Sequence, residues 1–197
     1  MGNIYLVRHG ITDYNKENRY QGQLDIPLNL QGRDQAKRVA KALADEDINV
    51  MYSSDLKRAY ETAEFIALAT NQKIKILQDL REVDVGVLEG MLWDDVKKQY
   101  PEWLKSGRNQ GYPGGESRAD IEKRVQNLWE YTMKNHRKDN VVLVSHGGII
   151  KTLICQILGI SANKRSRFVI DNCSITTLVF NNSGVMIKTL NSIWHLD

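Results

Sequence analysis

The chain has 197 residues, 42% of them hydrophobic, which is enough for one sizeable core and points to a single domain over 1–197. Its formal charge of +3 comes from basic and acidic residues interspersed as on solvated helix faces, so no nucleic-acid partner is expected. Two distant cysteines without metal-ligand spacing, a start unlike a signal peptide and no bilayer-length apolar run exclude a disulfide scaffold, a zinc knuckle and a membrane partner, and point to the cytoplasm.

The first predicted element is a strand over 3–8, whose apolar run Ile4 to Val7 ends at once in Arg8-His9-Gly10. A helix follows in "LQGRDQAKRVAKALADE", with Ala36, Val39, Ala40 and Leu43 at helical spacing, and then a strand over 48–52. "SSDLKRAYETAEFIALAT" opens on serines able to cap a helix and brings Leu56, Ala59, Tyr60, Ala63, Phe65 and Ile66 round to one side. After a strand over 73–77 the texture changes: Trp93, Tyr100, Pro101, Trp103, Tyr112 and Pro113 stand among short helical patterns. Residues 91–113 read either as a surface subdomain with a small core or as an active-site lid.

A long helix in "SRADIEKRVQNLWEYTMKNH" presents Ile121, Val125, Leu128, Trp129 and Thr132, and leaves His136 at its surface end. The strand over 140–145 runs into His146-Gly147-Gly148 and an apolar helix. Two β-rich runs then flank Asn181-Asn182-Ser183-Gly184, which is hairpin chemistry. The expected fold is therefore a three-layer α/β/α domain with a largely parallel central sheet and antiparallel C-terminal strands. The last strand offers an edge on which a homodimer could pair.

In an open parallel sheet the carboxyl ends of the strands share one edge, and ligands bind in the crevice outside it. His9 and His146 both follow such ends, so they should face one crevice. Arg8 precedes His9, Gly10 allows a sharp turn or close approach to a ligand, and Arg58 falls in the first turn of a helix that also starts at this edge. With the helix start after His146, these groups describe a pocket for a phosphate-sized anion. A neutral imidazole can attack phosphorus, and an acid must then protonate the leaving oxygen. Spacing alone does not choose among Asp79, Glu82, Asp84 and Glu89.

Five ordered stretches, "LVRHGITDYN", "SSDLKRAYETA", "LREVDVGVLEG", "GGES" and "VSHGG", resemble the histidine phosphatase superfamily in its phosphoglycerate-mutase-like branch. The short insertion between Glu89 and Gly115 resembles that of the branch's small phosphatases. The resemblance implies that His9 is the nucleophile, that Arg8, Arg58 and His146 bind the transferring phosphoryl group, and that Glu82 is the proton donor. It also implies substrate contacts from Asn15, Gln21, Gly22, the Gly147 N–H and His195. Singly, Arg58 reads equally as a solvated helix arginine, Glu82 as a surface acid, Asn15 and Gln21 as turn residues and His195 as an exposed terminal histidine. The ordered set is what gives them roles.

The implied activity is hydrolysis of a small phosphorylated metabolite through a phosphohistidine, with no cofactor and no metal. Phosphoglycerate mutase is the nearest alternative, and a non-catalytic phosphate-binding module or a metal hydrolase stands further off. Among the branch's phosphoserine-type members a histidine often occupies the position of Val85, and α-ribazole phosphate phosphatases share the same motifs, so the substrate stays open.

Overall fold

Strands whose alternate residues are buried on opposite sides make up the sheet of the computed structural model, which describes residues 2–106, 111–181 and 184–197. In chain order the elements are β1 (Asn3–Arg8), α1 (Asp13–Lys16), α2 (Leu30–Leu43), β2 (Val50–Ser53), α3 (Lys57–Thr70) and β3 (Ile74–Ile76). They continue with α4 (Trp93–Gln99), α5 (Pro101–Lys105), α6 (Arg118–His136), β4 (Val141–Ser145), α7 (Gly147–Ile157), β5 (Ile175–Asn181) and β6 (Gly184–Ser192). The strand order is β3-β2-β4-β1-β5-β6. The first four of these run parallel, and β5 and β6 add antiparallel to β1 and to each other.

Period-two alternation divides the core into two layers. Ile4, Leu6, Val141 and Leu143 pack with Ile121, Val125 and Leu128 of α6 and Ile149, Leu153 and Ile154 of α7. Tyr5, Val7, Val142 and Val144 pack on the other side with Ala36, Val39 and Leu43 of α2 and Ala59, Ala63 and Ile66 of α3. Each buried Val, Leu or Ile is worth about 1.5–3 kcal/mol relative to exposure, so these layers fix the strand register and with it the ends of β1 and β4. The expected α/β/α class with antiparallel C-terminal strands is the one observed. Among the described residues no helix is long and apolar enough to cross a membrane.

Several local expectations change. The serines before α3 do not cap it: Leu56 is the N-cap residue and has no side-chain cap bond, because Ser54 is turned toward the sheet edge. Tyr60 of α3 is exposed and Phe65 only half-buried, since the buried stripe runs through Ala59, Ala63 and Ile66. His136 is not a surface histidine. It is half-buried, with Nε2 2.9 Å from the Tyr52 hydroxyl and Nδ1 2.8 Å from Asp139. Both cysteines are buried and free. At the expected hairpin, Asn181 pairs with Gly184 across β5 and β6, while Asn182 and Ser183 lie outside the described residues.

Within 91–113, residues 107–110 also lie outside the described residues. The remainder packs down: Val96 is fully buried, and Met91, Tyr100, Trp103 and Tyr112 lie against the core layer of α6 and α7.

Candidate active site

Because β4 lies directly beside β1, Arg8 pairs with Ser145, and the two histidines leave the sheet at adjacent strand ends. The His9 N–H donates to the Ser145 carbonyl at 3.0 Å, and the His9 and His146 ring centroids are 5.1 Å apart. Gly10 serves this placement differently from the expected ligand approach. A Cβ there would come within 2.5 Å of the Gly32 carbonyl, so the glycine lets the loop sit on the start of α2.

His9 is buried, with Nδ1 2.7 Å from the carbonyl oxygen of Gly10. A carbonyl only accepts, so the proton of the neutral ring is on Nδ1 and the lone pair is on Nε2. Burial, then Arg58 and Arg8, holds the ring well below the ordinary histidine range and therefore neutral. His146 is held low in the same way, by burial and then by Arg58, His9 and Arg8. Its Nε2 lies 2.9 Å from Ser54 Oγ, which accepts the Leu56 N–H at 3.2 Å. A Ser54 hydroxyl donating to Nε2 leaves the ring proton on Nδ1, which has no partner among the described residues.

Two arginines are fixed beside the histidines by backbone oxygens. Arg8 Nη1 donates to the Ile170 carbonyl at 2.6 Å, and Arg58 donates from Nη1 and Nη2 to the Leu24 and Gly22 carbonyls, each at 2.7 Å. Arg58 is fully buried, and desolvation pushes it down to about 10, so it stays cationic at neutral pH. The Nε atoms of Arg8 and Arg58 are buried without a partner among the described residues. Unmatched buried donors are costly, and two of them beside an unpartnered imidazole nitrogen suit a tetrahedral oxyanion.

Of the four acids, Glu82 is the one on the wall of the cavity described below, and the loop geometry holds it there. Arg124 of α6 donates to the Asp79 and Arg81 carbonyls at 2.9 and 2.7 Å and pairs with Glu116 at 2.7 Å. Glu116 in turn accepts the Asp84 N–H at 2.8 Å, so the "GGES" stretch clamps the loop that carries Glu82. Glu82 accepts the N–H groups of Val83 and Gly148 at 2.9 and 3.2 Å, and a Cβ on Gly148 would approach its Oε1 to 2.3 Å. Asp84 instead closes a turn with the Gly86 N–H, and Glu89 accepts the Gln23 N–H.

His9, Arg8, Arg58 and Glu82 border a cavity of about 360 Å³. Among the described residues its wall contains Arg8, Arg19, Arg58, Lys151 and Arg165 against the single carboxylate of Glu82, so it is strongly cationic. The family model for the histidine phosphatase superfamily (branch 1) matches residues 4–193. The chain belongs to that superfamily. It is 36% identical to phosphoserine phosphatase 1 of Hydrogenobacter thermophilus, over 100% of this chain and 95% of that protein. It is also 36% identical to a probable phosphoglycerate mutase of Salmonella choleraesuis, over 98% of this chain and 94% of that one. Among solved structures, a mycobacterial glucosyl-3-phosphoglycerate phosphatase complexed with VO3 superposes with a TM-score of 0.89 at 29% identity, covering 98% of this chain and 100% of that chain.

Of the residues that the histidine phosphatase motifs single out, Arg8, His9, Asn15, Gln21, Gly22, Arg58, Glu82 and Gly147 all line the cavity. The amides of Asn15 and Gln21 are oriented by Thr12: Asn15 Oδ1 accepts the Thr12 N–H at 3.1 Å, and Gln21 Oε1 lies 3.0 Å from Thr12 Oγ1. Their NH₂ groups are left to face other partners. His146 stands one layer deeper, fully buried against His9 and outside the lining.

His195 is neither exposed nor at the cavity. Its buried ring donates from Nε2 to the Cys173 carbonyl at 2.9 Å, and Cys173 in turn donates to the Arg8 carbonyl at 3.0 Å, so it underpins the loop behind the site. Ser54, Arg124, Glu116, Lys151 and Arg165 carry parts of the site that motif positions did not assign. Ser54 and Glu116 sat inside quoted motifs, which was the available signal. The other three became visible only once α6, α7 and the short helix Ala162–Arg167 were placed.

Proposed function

We propose that this histidine phosphatase hydrolyses small phosphomonoesters through a phosphohistidine on His9. The observation that carries the reading is a neutral His9 whose Nδ1 is tied to Gly10, set among the unpartnered donors of Arg8 and Arg58. In the first step the Nε2 lone pair forms the N–P bond while the bond from phosphorus to the ester oxygen breaks. Arg8, Arg58 and the His146 Nδ1–H hold the phosphoryl oxygens as charge spreads over them. Glu82, entering as the acid, gives its proton to the departing oxygen. In the second step Glu82, now a carboxylate, takes a proton from water as that water attacks phosphorus and the N–P bond breaks. Inorganic phosphate and the alcohol are the products, and His9 returns to its starting state.

The name of the Salmonella relative favours a second reading, in which the phosphoryl group on His9 passes back to a phosphoglycerate. One experiment separates the readings. Wild-type protein and His9→Ala are assayed with p-nitrophenyl phosphate in excess chelator, beside 2- and 3-phosphoglycerate interconversion. Phosphate release that survives chelation and vanishes in the variant supports the proposal, whereas interconversion without net phosphate release supports the mutase.

A further inference from the structure

The two peptide units around the nucleophile are held in different ways. The unit joining His9 to Gly10 is fixed at both ends: its carbonyl accepts the Cys173 N–H at 3.2 Å and the Asn172 amide at 3.0 Å, and its N–H donates to the Thr62 hydroxyl at 3.0 Å. Among the described residues, the unit joining Gly10 to Ile11 is held by two side chains alone. Its carbonyl oxygen lies 2.7 Å from His9 Nδ1, and its N–H donates to Gln35 Oε1 at 3.0 Å.

Gln35 reaches this N–H because of how α2 begins. Asn29 fixes the helix start by accepting the Gly32 N–H at 2.9 Å, and its own N–H donates to the Ile11 carbonyl at 3.2 Å. A Cβ on Gly32 would meet that carbonyl oxygen at 2.1 Å, so the glycine lets the loop lie against the helix. Gln35 is half-buried three residues further on, and therefore on the same helix face. It is not on the cavity wall.

A trans peptide is planar, with its C=O and N–H pointing in opposite directions, so holding one end sets the other. Glycine on one side makes turning such a unit over inexpensive. Turned over, the unit would present its N–H to His9. An N–H only donates, so Nδ1 would become the acceptor, the ring proton would pass to Nε2, and Nε2 would lose its lone pair.

We infer that Gln35 is a positioning residue for phosphoryl transfer: by accepting the Ile11 N–H it keeps the Gly10 carbonyl on His9 Nδ1, and so keeps the attacking lone pair on Nε2. The inference rests on the phosphatase reading, in which Nε2 attacks phosphorus. Gln35 acts through the backbone and touches neither the substrate nor the reacting atoms.

The test removes the acceptor in Gln35→Met and Gln35→Ala and keeps it in Gln35→Glu. Long-range proton–nitrogen NMR spectra at neutral pH report which ring nitrogen carries the proton, with the His9 signals assigned by their loss in His9→Ala. Wild-type His9 should carry it on Nδ1. Without the acceptor, the share on Nε2 should rise and kcat for p-nitrophenyl phosphate should fall by about tenfold, with KM changed by less than about twofold. Gln35→Glu should restore both the spectrum and kcat. An undiminished kcat in folded Gln35→Met or Gln35→Ala overturns the role. So does a lowered kcat with the proton still on Nδ1, or a glutamate variant no better than the methionine one. If neither Gln35→Met nor Gln35→Ala folds, Gln35 is a folding residue and the positioning role is overturned. A wild type that hydrolyses no ester overturns the phosphatase reading instead, and the inference falls with it.

Discussion

Two parts of the cavity wall are built differently. At the phosphoryl end, His9 and Arg58 are buried and Arg8 half-buried, all three are tied to backbone oxygens, and they stand at the ends or starts of elements packed into both core layers. Elsewhere on the cavity wall, Lys151 has no hydrogen-bond or ion-pair partner among the described residues, and Arg165 donates to the Tyr112 hydroxyl from a short 3-10 helix. Groups tied to the scaffold in this way are suited to chemistry common to all substrates, and less constrained ones to ranking substrates. Changes at the phosphoryl end should therefore act on every substrate, and changes at Lys151 and Arg165 on the ranking of substrates.

Arg58→Met should have the largest effect after loss of the nucleophile. It removes a phosphoryl ligand and also the donor that holds Gly22 and Leu24, so kcat/KM should fall by about 10²–10³ on all esters, with a lowered Tm. An effect confined to one substrate would break the comparison.

Glu82→Gln should cost about 10²-fold on alkyl phosphates but only a few-fold on p-nitrophenyl phosphate, whose leaving group needs little protonation. Equal losses on both would mean that Glu82 holds structure instead of donating a proton.

Ser54→Ala should cost about tenfold in kcat on every ester, because the His146 ring loses the hydroxyl that sets its proton on Nδ1. Measurement of kcat and KM separately, with Ser54→Thr as the conservative variant, distinguishes this from a folding defect. Rescue by threonine is expected.

The smallest effect is on stability against pH. His9 and His146 have folded-state values well below 6.5, so the unfolded chain binds more protons as the pH falls below about 6.5. Each imidazole should then remove up to about 1.4 kcal/mol of stability per pH unit in that range, a loss absent above it. Denaturant titrations from about pH 7.5 to pH 5.5 should show a shallower slope in His146→Gln than in the wild type.

The same contrast explains what the sequence allowed to be read. Apolar strands ending in His-Gly announced β1 and β4, and their shared edge followed from parallel topology, so the phosphoryl end was legible from Arg8, His9 and His146. Among Asp79, Glu82, Asp84 and Glu89, spacing made no choice, because the position of this loop depends on Arg124, which reaches it from α6. Lys151 was visible only as a charge interrupting an apolar helix. Its place at the cavity depends on how α7 is rotated against the sheet, and that of Arg165 on a 3-10 helix whose sequence, "ANKRSR", has no periodic pattern. His195, for which the resemblance implies a substrate contact, is instead off the cavity wall, because the chain end folds back under the Cys173 carbonyl.

The central claim is a covalent phosphoryl group on His9, and trapping it is the most direct test. Wild-type protein mixed with a good substrate and quenched in alkali within the first turnover should carry a phosphoryl group on the peptide containing His9, stable to base and lost in acid. His9→Ala should carry none and release no phosphate. An unlabelled wild type that still turns over, or a phosphoryl group found on any other residue, would contradict the account.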